Sequence, residues 1–205
     1  MANLEKIKNI IKKISMMGEI KEHICFFGGC MPYIIHGKDS FREHSDIDVL
    51  VDVDYMDYLR TLLQEEGCYN PERDSINLGL DKDYGLKVFI DGVYVEFEPM
   101  SLQDGIFTRM SFVEEKQKAG VEKLPYINVE DIMIPIEFDG VRVYSKTPEL
   151  IKVGKEKYMR EKDIQDVAFI NEHGFDTAKY LRAQEMFYKR IVEVDTFDNL
   201  KGMKL

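Results

Sequence analysis

Residues 45–53 read SDIDVLVDV, and this alternation constrains the chain more than any other stretch. A strand turns successive side chains to opposite faces. Ile47, Val49 and Val51 then share one face, turned into a core, while Asp46 and Asp48 share the other. Carboxylates held close together repel each other and become harder to ionise unless a cation neutralises them. The economical cation is Mg²⁺, a hard ion that takes carboxylate oxygens and also binds phosphates.

The flanking segments give that strand a setting. HICFFGG is an apolar run closed by Gly28 and Gly29 and reads as a strand; CMPYIIHG reads as a short helix with Pro32 near its first turn. Glycines at a strand-to-helix junction let a ligand approach the backbone, and N–H groups at the helix start can cradle a phosphate. DYMDYLRTLLQEEG places Met56, Leu59, Leu62 and Leu63 at helical spacing and stops at Gly67. LKVFIDGVYVEFEPM is a hairpin about Asp91-Gly92, a type I′ dipeptide. On its second strand Val93, Val95 and Phe97 share one face, and Tyr94, Glu96 and Glu98 the other. If that strand lies beside the aspartate strand, Glu96 joins Asp46 and Asp48 in one acidic cluster.

Leu4, Ile7, Ile10, Ile11 and Ile14 define an amphipathic first helix. Beyond a less regular middle, IMIPIEFDGVRVYS is a second hairpin about Asp139-Gly140, and the pattern is helical from Thr147 to about Val194. The expected architecture is α+β: a mixed sheet with flanking helices over residues 1–144, then a helical C-terminal region over 145–205. Tyr180, Phe187 and Tyr188 are spaced as the core or interface face of the last helix.

Composition narrows the class. Of 205 residues 44% are hydrophobic and 32% charged, an ordinary globular mix. No apolar run approaches the roughly 18 residues of a membrane span, and the opening segment lacks the h-region of a signal peptide. Three cysteines, an odd number, point to a reduced, cytoplasmic protein. The net charge of −10 argues against a broad grip on nucleic acid and is compatible with a cationic small substrate. His23, Cys25, Cys30, His36 and His44 contain no compact zinc-binding pair, and Cys25 is expected to be a buried strand residue.

The ordered set GGCMPYIIHGKDSFREHSDID resembles the signature of the nucleotidyltransferase superfamily with the DNA polymerase β-like fold: a glycine pair, a short helix, then D-x-D. Glu96, in VEF, matches the family's third carboxylate, although Asp is commoner there; Cys30 stands where many members have Ser. TPELIKVGKEKYMREKDIQDV is similar to a later segment of small members, with Lys155, Arg160, Lys162, Asp163 and Asp166 at the matching positions. REHSDID is closest to lincosamide- and aminoglycoside-type enzymes.

The resemblance implies Mg²⁺-dependent transfer of a nucleoside monophosphate from an NTP to a hydroxyl of a small molecule, an antibiotic among the candidates. Asp46 and Asp48 would hold two Mg²⁺ ions, with Glu96 as third ligand or general base. Gly28, Gly29 and the Cys30 amide would hold the triphosphate, helped by Arg42 or Lys38, and Lys155 would reach the phosphates. His44 and Glu98 are candidate substrate contacts, whereas Arg160 and Asp163 are expected to pair with each other. The alternatives are a toxin-type enzyme acting on RNA or protein and a non-catalytic nucleotide-binding module. An acidic cleft beside Glu96 and Glu98 would favour a cationic acceptor, and a basic one RNA.

Overall fold

The Asn3 side chain accepts the Lys6 backbone N–H at 3.0 Å and starts helix α1 (Leu4–Ser15). Its apolar stripe of Ile7, Ile10, Ile11 and Ile14 is fully buried, worth about 1.5–3 kcal/mol per side chain. The computed structural model describes residues 2–40, 42–113 and 118–196. After α1 come β1 (Ile24–Phe27), α2 (Met31–Ile35), β2 (Asp46–Asp52), α3 (Met56–Glu65), β3 (Leu86–Ile90) and β4 (Val93–Gln103). Then follow β5 (Ile106–Val113), β6 (Lys118–Pro125), β7 (Met133–Phe138) and β8 (Val141–Lys146). The remainder is α4 (Pro148–Tyr158), α5 (Glu161–His173), α6 (Thr177–Tyr188) and β9 (Ile191–Thr196).

The strands form one mixed sheet in the order β7-β8-β1-β2-β4-β5-β6-β9, with β3 paired to β4. β1 runs parallel to β8 and β2 parallel to β4; the other pairs are antiparallel. One edge of β4 serves two partners, Val93–Phe97 meeting β3 and Met100–Gln103 meeting β5. Ile47, Val49, Val51, Val93, Val95 and Phe97 pack with α1 and α3 on one face of the sheet. Leu50, Cys25, Phe27 and Phe107 lie in a second core with α4 and α6. Cys25 is a buried strand residue, as its setting predicted.

Both anticipated hairpins form, with Asp91 and Gly92 at φ 49° and 83° and Asp139 and Gly140 at 46° and 76°. The middle is more regular than expected. Asp104 and Gly105, at φ 51° and 72°, make a third such turn, joining β4 to β5, and β6 pairs with β5. The helical reading also fails after Tyr188. Residues 191–196 are a strand, and the β-branched Ile191, Val192 and Val194, the last two alternating with Glu193 and Asp195, fit that state. Tyr188 is 90% exposed and so belongs to no core, whereas Tyr180 and Phe187 pack on the second one. Residues 197–205 of the anticipated C-terminal region lie outside the described residues.

Candidate active site

The site begins where β1 ends. Phe27 is the register partner of Asp48 on β2, and the chain then turns through Gly28 at φ 85°. A Cβ on Gly28 would lie 2.0 Å from Asp48 Oδ2, and one on Gly29 would lie 2.1 Å from Arg42 Nη2. The glycine pair therefore makes room for a carboxylate and a guanidinium against bare backbone. The helix that follows, α2, is only five residues long, with Cys30 as its N-cap. Burial, and then the charges of Asp48 and Asp46, push the Cys30 thiol up to about 12, so it is neutral.

Asp46 is exposed and accepts the Ser45 hydroxyl at 3.0 Å. Asp48 is half-buried; burial first, then the charges of Asp46 and Glu98, push its acid up to about 7. The anticipated neighbour relationship holds, since Asp48 is paired in register with Glu96 on the parallel strand β4. Burial and the Glu98 charge push the Glu96 acid up to about 8. The Glu96 carboxylate lies 3.4 Å from Lys87 Nζ, on the β3 side. Glu98 is buried and held by the Arg109 guanidinium through both oxygens.

A cavity of about 310 Å³ opens over Asp46 and Asp48. Six cationic side chains line it (Arg42, Arg109, Lys146, Lys155, Arg160, Lys162) against four carboxylates (Asp46, Asp48, Glu122, Asp163). Glu96, Glu98, Cys30 and Lys38 are not on its wall. Of the two characters weighed for the cleft, acidic or basic, the cavity over the aspartates has a cationic majority, although the chain as a whole is strongly acidic.

Buried Asp166 organises the cations. Arg42 donates to it from Nε at 3.1 Å and Nη2 at 2.8 Å; Lys155 Nζ lies 2.7 Å away, and the Tyr33 hydroxyl donates at 3.1 Å. Lys155 also reaches Asp163 at 3.4 Å. Asp163 accepts the Arg160 backbone N–H and guanidinium, the expected pair, which also caps α5. His44 is buried on the cavity wall with its ring 2.9 Å from Ser40 Oγ. Burial first and Arg42 second lower its pKa to about 4, so the ring is neutral.

Arg109, Glu122 and Lys146 escaped the sequence reading. The first two lie on the strand pair that was not foreseen, and Lys146 closes a strand whose partner, β1, is remote in sequence. The Asp104-Gly105 dipeptide is the signal that would have exposed β5.

The mixed sheet sets a glycine pair against the second aspartate of the D-x-D strand, and solved structures share this fold. The solution structure of the antibiotic-resistance factor ANT(2'')-Ia matches with a TM-score of 0.59 at 17% identity, covering 90% of this chain and 92% of that one. A crystal structure of ANT(2'')-Ia in complex with adenylyl-2''-tobramycin gives 0.59 at 16% identity, over 89% and 97%. The lincomycin-bound lincosamide antibiotic adenylyltransferase LnuA gives 0.55 at 15% identity, over 83% and 96%. The chain thus has the fold of these proteins. No protein-family profile matches it, and no curated protein does.

Proposed function

We propose that the protein is a nucleotidyltransferase that moves a nucleoside monophosphate from an NTP to a hydroxyl of a small molecule, releasing pyrophosphate. One observation carries this reading: the Asp46–Asp48 pair shares a cavity wall with Arg42 and Lys155, and two glycines let the Asp48 carboxylate and the Arg42 guanidinium lie against bare backbone there. The three matched structures, two of them with an antibiotic or its adenylyl adduct, support small-molecule acceptors.

Among the described residues no group of three His, Cys, Asp or Glu side chains converges as a ready metal cage. The donor set nevertheless fits Mg²⁺, which binds through one or two carboxylates plus substrate phosphates. Asp48, whose acid is pushed up by burial and a like charge, is the group such a cation would relieve. Asp46 and Asp48 would hold the two Mg²⁺ ions expected, which when bound supply charge neutralisation at the triphosphate and acidify the acceptor hydroxyl.

The chain's own residues do the rest. Lys155 and Arg42, fixed on Asp166, face the triphosphate with charge already in place, which avoids reorganisation during the reaction. Gly28 and Gly29 let Asp48 and Arg42 stand against the backbone at the cavity wall, where a side chain at either position would displace them. Glu96, next to Asp48 across the strand pair, stands off the cavity wall and would act as base or third carboxylate only from beyond it.

The cationic majority on the cavity wall favours one second reading, transfer to RNA. An assay separates them. Protein, Mg²⁺ and each α-³²P-NTP are incubated with pooled small hydroxylic compounds, antibiotics included, or with bulk tRNA. Label on a small-molecule pool, lost about 1,000-fold or more in Asp46→Asn and Asp48→Asn, is the expected result. Label on tRNA alone would replace the small-molecule reading, and absence of NTP binding would end both.

A further inference from the structure

The cations lining the cavity are not equivalent. Arg42, Lys155 and Arg160 are tied to Asp166 or Asp163, and Arg109 to Glu98. Lys146 differs. It is 7% exposed, yet among the described residues no carboxylate forms an ion pair with its ammonium, which lines the cavity. Its near neighbours are the faces of Phe27 at 4.7 Å and Phe107 at 5.1 Å. The Arg109 guanidinium stands over the same Phe27 ring at 4.8 Å.

Register fixes where this pair of cations lies. Lys146 follows Ser145, the β8 partner of Phe26, and Phe27 is the cross-strand partner of Asp48. Lys146, Phe27 and Asp48 therefore sit in register on three successive strands, and all three line the same cavity. The glycine–Arg42–Lys155 cluster that suits the triphosphate is built on the β1–α2 turn, the loop before β2, and α4, with its anchor Asp166 on α5.

A buried ammonium without an ionic partner is costly unless a ligand completes it. Burial, and then Arg109, lower the Lys146 pKa to about 8, which measures that strain. We propose that Lys146, with Arg109 beside it, binds a compact anionic group of the acceptor, so that the acceptor is a hydroxyl-bearing phosphate ester or carboxylate and not a polycation. The inference rests on the nucleotidyltransferase reading and names its substrate class. A polynucleotide is disfavoured by the charge of −10, because an extended phosphate track needs many cations outside the cavity.

The test is isothermal titration of the full chain with Mg²⁺, saturated with the α,β-methylene analogue of whichever NTP binds. Inorganic phosphate, acetate, kanamycin and bulk tRNA are then titrated separately, phosphate and acetate distinguishing an ester from a carboxylate. Phosphate or acetate should bind the loaded protein. Lys146→Met should weaken that binding about tenfold or more, the scale of one charged hydrogen bond, while changing analogue affinity less than about twofold. Lys146→Arg, which keeps the charge, should retain it within about threefold.

An equal loss of analogue affinity in Lys146→Met would assign the ammonium to the triphosphate and overturn the proposal. So would binding of kanamycin or tRNA in place of the small anions, or no anion binding by the loaded protein. Failure of every analogue to bind the unaltered chain would instead bring down the nucleotidyltransferase reading, and the inference with it.

Discussion

The Asp48 carboxylate occupies the space that a side chain on Gly28 would need, the nearest oxygen standing 2.0 Å from the position of a Cβ. Gly28 also holds φ 85°, where any L side chain is strained. Gly28→Ala should therefore displace Asp48 by a sizeable part of an ångström and lower kcat/KM about 100-fold. Steady-state transfer kinetics, beside a circular-dichroism melt showing that the variant still folds, check this. Near-normal transfer by a folded variant would show that the Asp48 position is not critical.

Asp166 is fully buried and carries Arg42, Lys155 and the Tyr33 hydroxyl. Replacing it with alanine leaves two cations without their common partner, and breaking such buried pairs destabilises by about 3–5 kcal/mol. Urea denaturation of Asp166→Ala should show a loss of that size. NTP should bind more weakly in the same variant, because Arg42 and Lys155 lose their shared anchor.

Lys146 gives a pH signature of opposite sense to most ion pairs. Its pKa, about 8 in the folded protein, lies below that of an unfolded lysine near 10.5. Between those values the unfolded chain binds more protons than the folded one, so this group makes stability rise with pH across pH 8 to 10.5. Below pH 8 the full penalty of the buried charge is present, about 3 kcal/mol at most. Lys146→Met should thus be more stable than the unaltered protein by about 1–3 kcal/mol at pH 7. The gain should shrink towards zero by pH 10.5, as thermal unfolding at both pH values would record.

Arg60 on α3 holds the segment between α3 and β3. It meets Asp74 through Nε at 2.7 Å and Nη2 at 3.0 Å, and Asp83 through Nη1 at 2.8 Å. Burial pushes the Asp74 acid up, but hydrogen bonds from Arg60 and Tyr69 outweigh it and hold the acid below its ordinary range. A depressed carboxylate stabilises above the unfolded value and loses that contribution as pH falls through the folded one. Asp74→Asn should therefore cost about 3 kcal/mol at pH 7. The difference from the unaltered chain should narrow below about pH 4, read from urea midpoints at each pH.

The parts legible in the sequence are those governed by local pattern. The period of two in residues 46–51 gave the strand and its two faces, and the isoleucine stripe gave α1. The Asp-Gly dipeptides fixed two hairpins because a type I′ turn demands their backbone angles. The placement of Glu96 beside Asp48 was legible only as a conditional, since parallel pairing of β2 and β4 is a long-range fact. Arg109 and Lys146 were illegible as site residues, because nothing local says that their strands bracket Phe27. Net charge does not report the local field: an acidic chain has a cavity with six cations against four carboxylates on its wall.

β1 takes one neighbour, β2, from the residues just after it, and the other, β8, from far down the chain. Synthesis on a ribosome proceeds in order, so the aspartate strand emerges with its glycine turn long before Lys146, Lys155 and Asp166 exist. Through that interval the nascent sheet has an unpaired central edge, the kind of surface that invites misassociation. The cavity wall is completed late, when β8 pairs with β1 and α4 and α5 add Lys155 and Asp166. A chain interrupted before residue 146 would carry Asp46, Asp48, Arg42 and Arg109 but lack Lys146, Lys155 and the Asp166 that anchors Arg42.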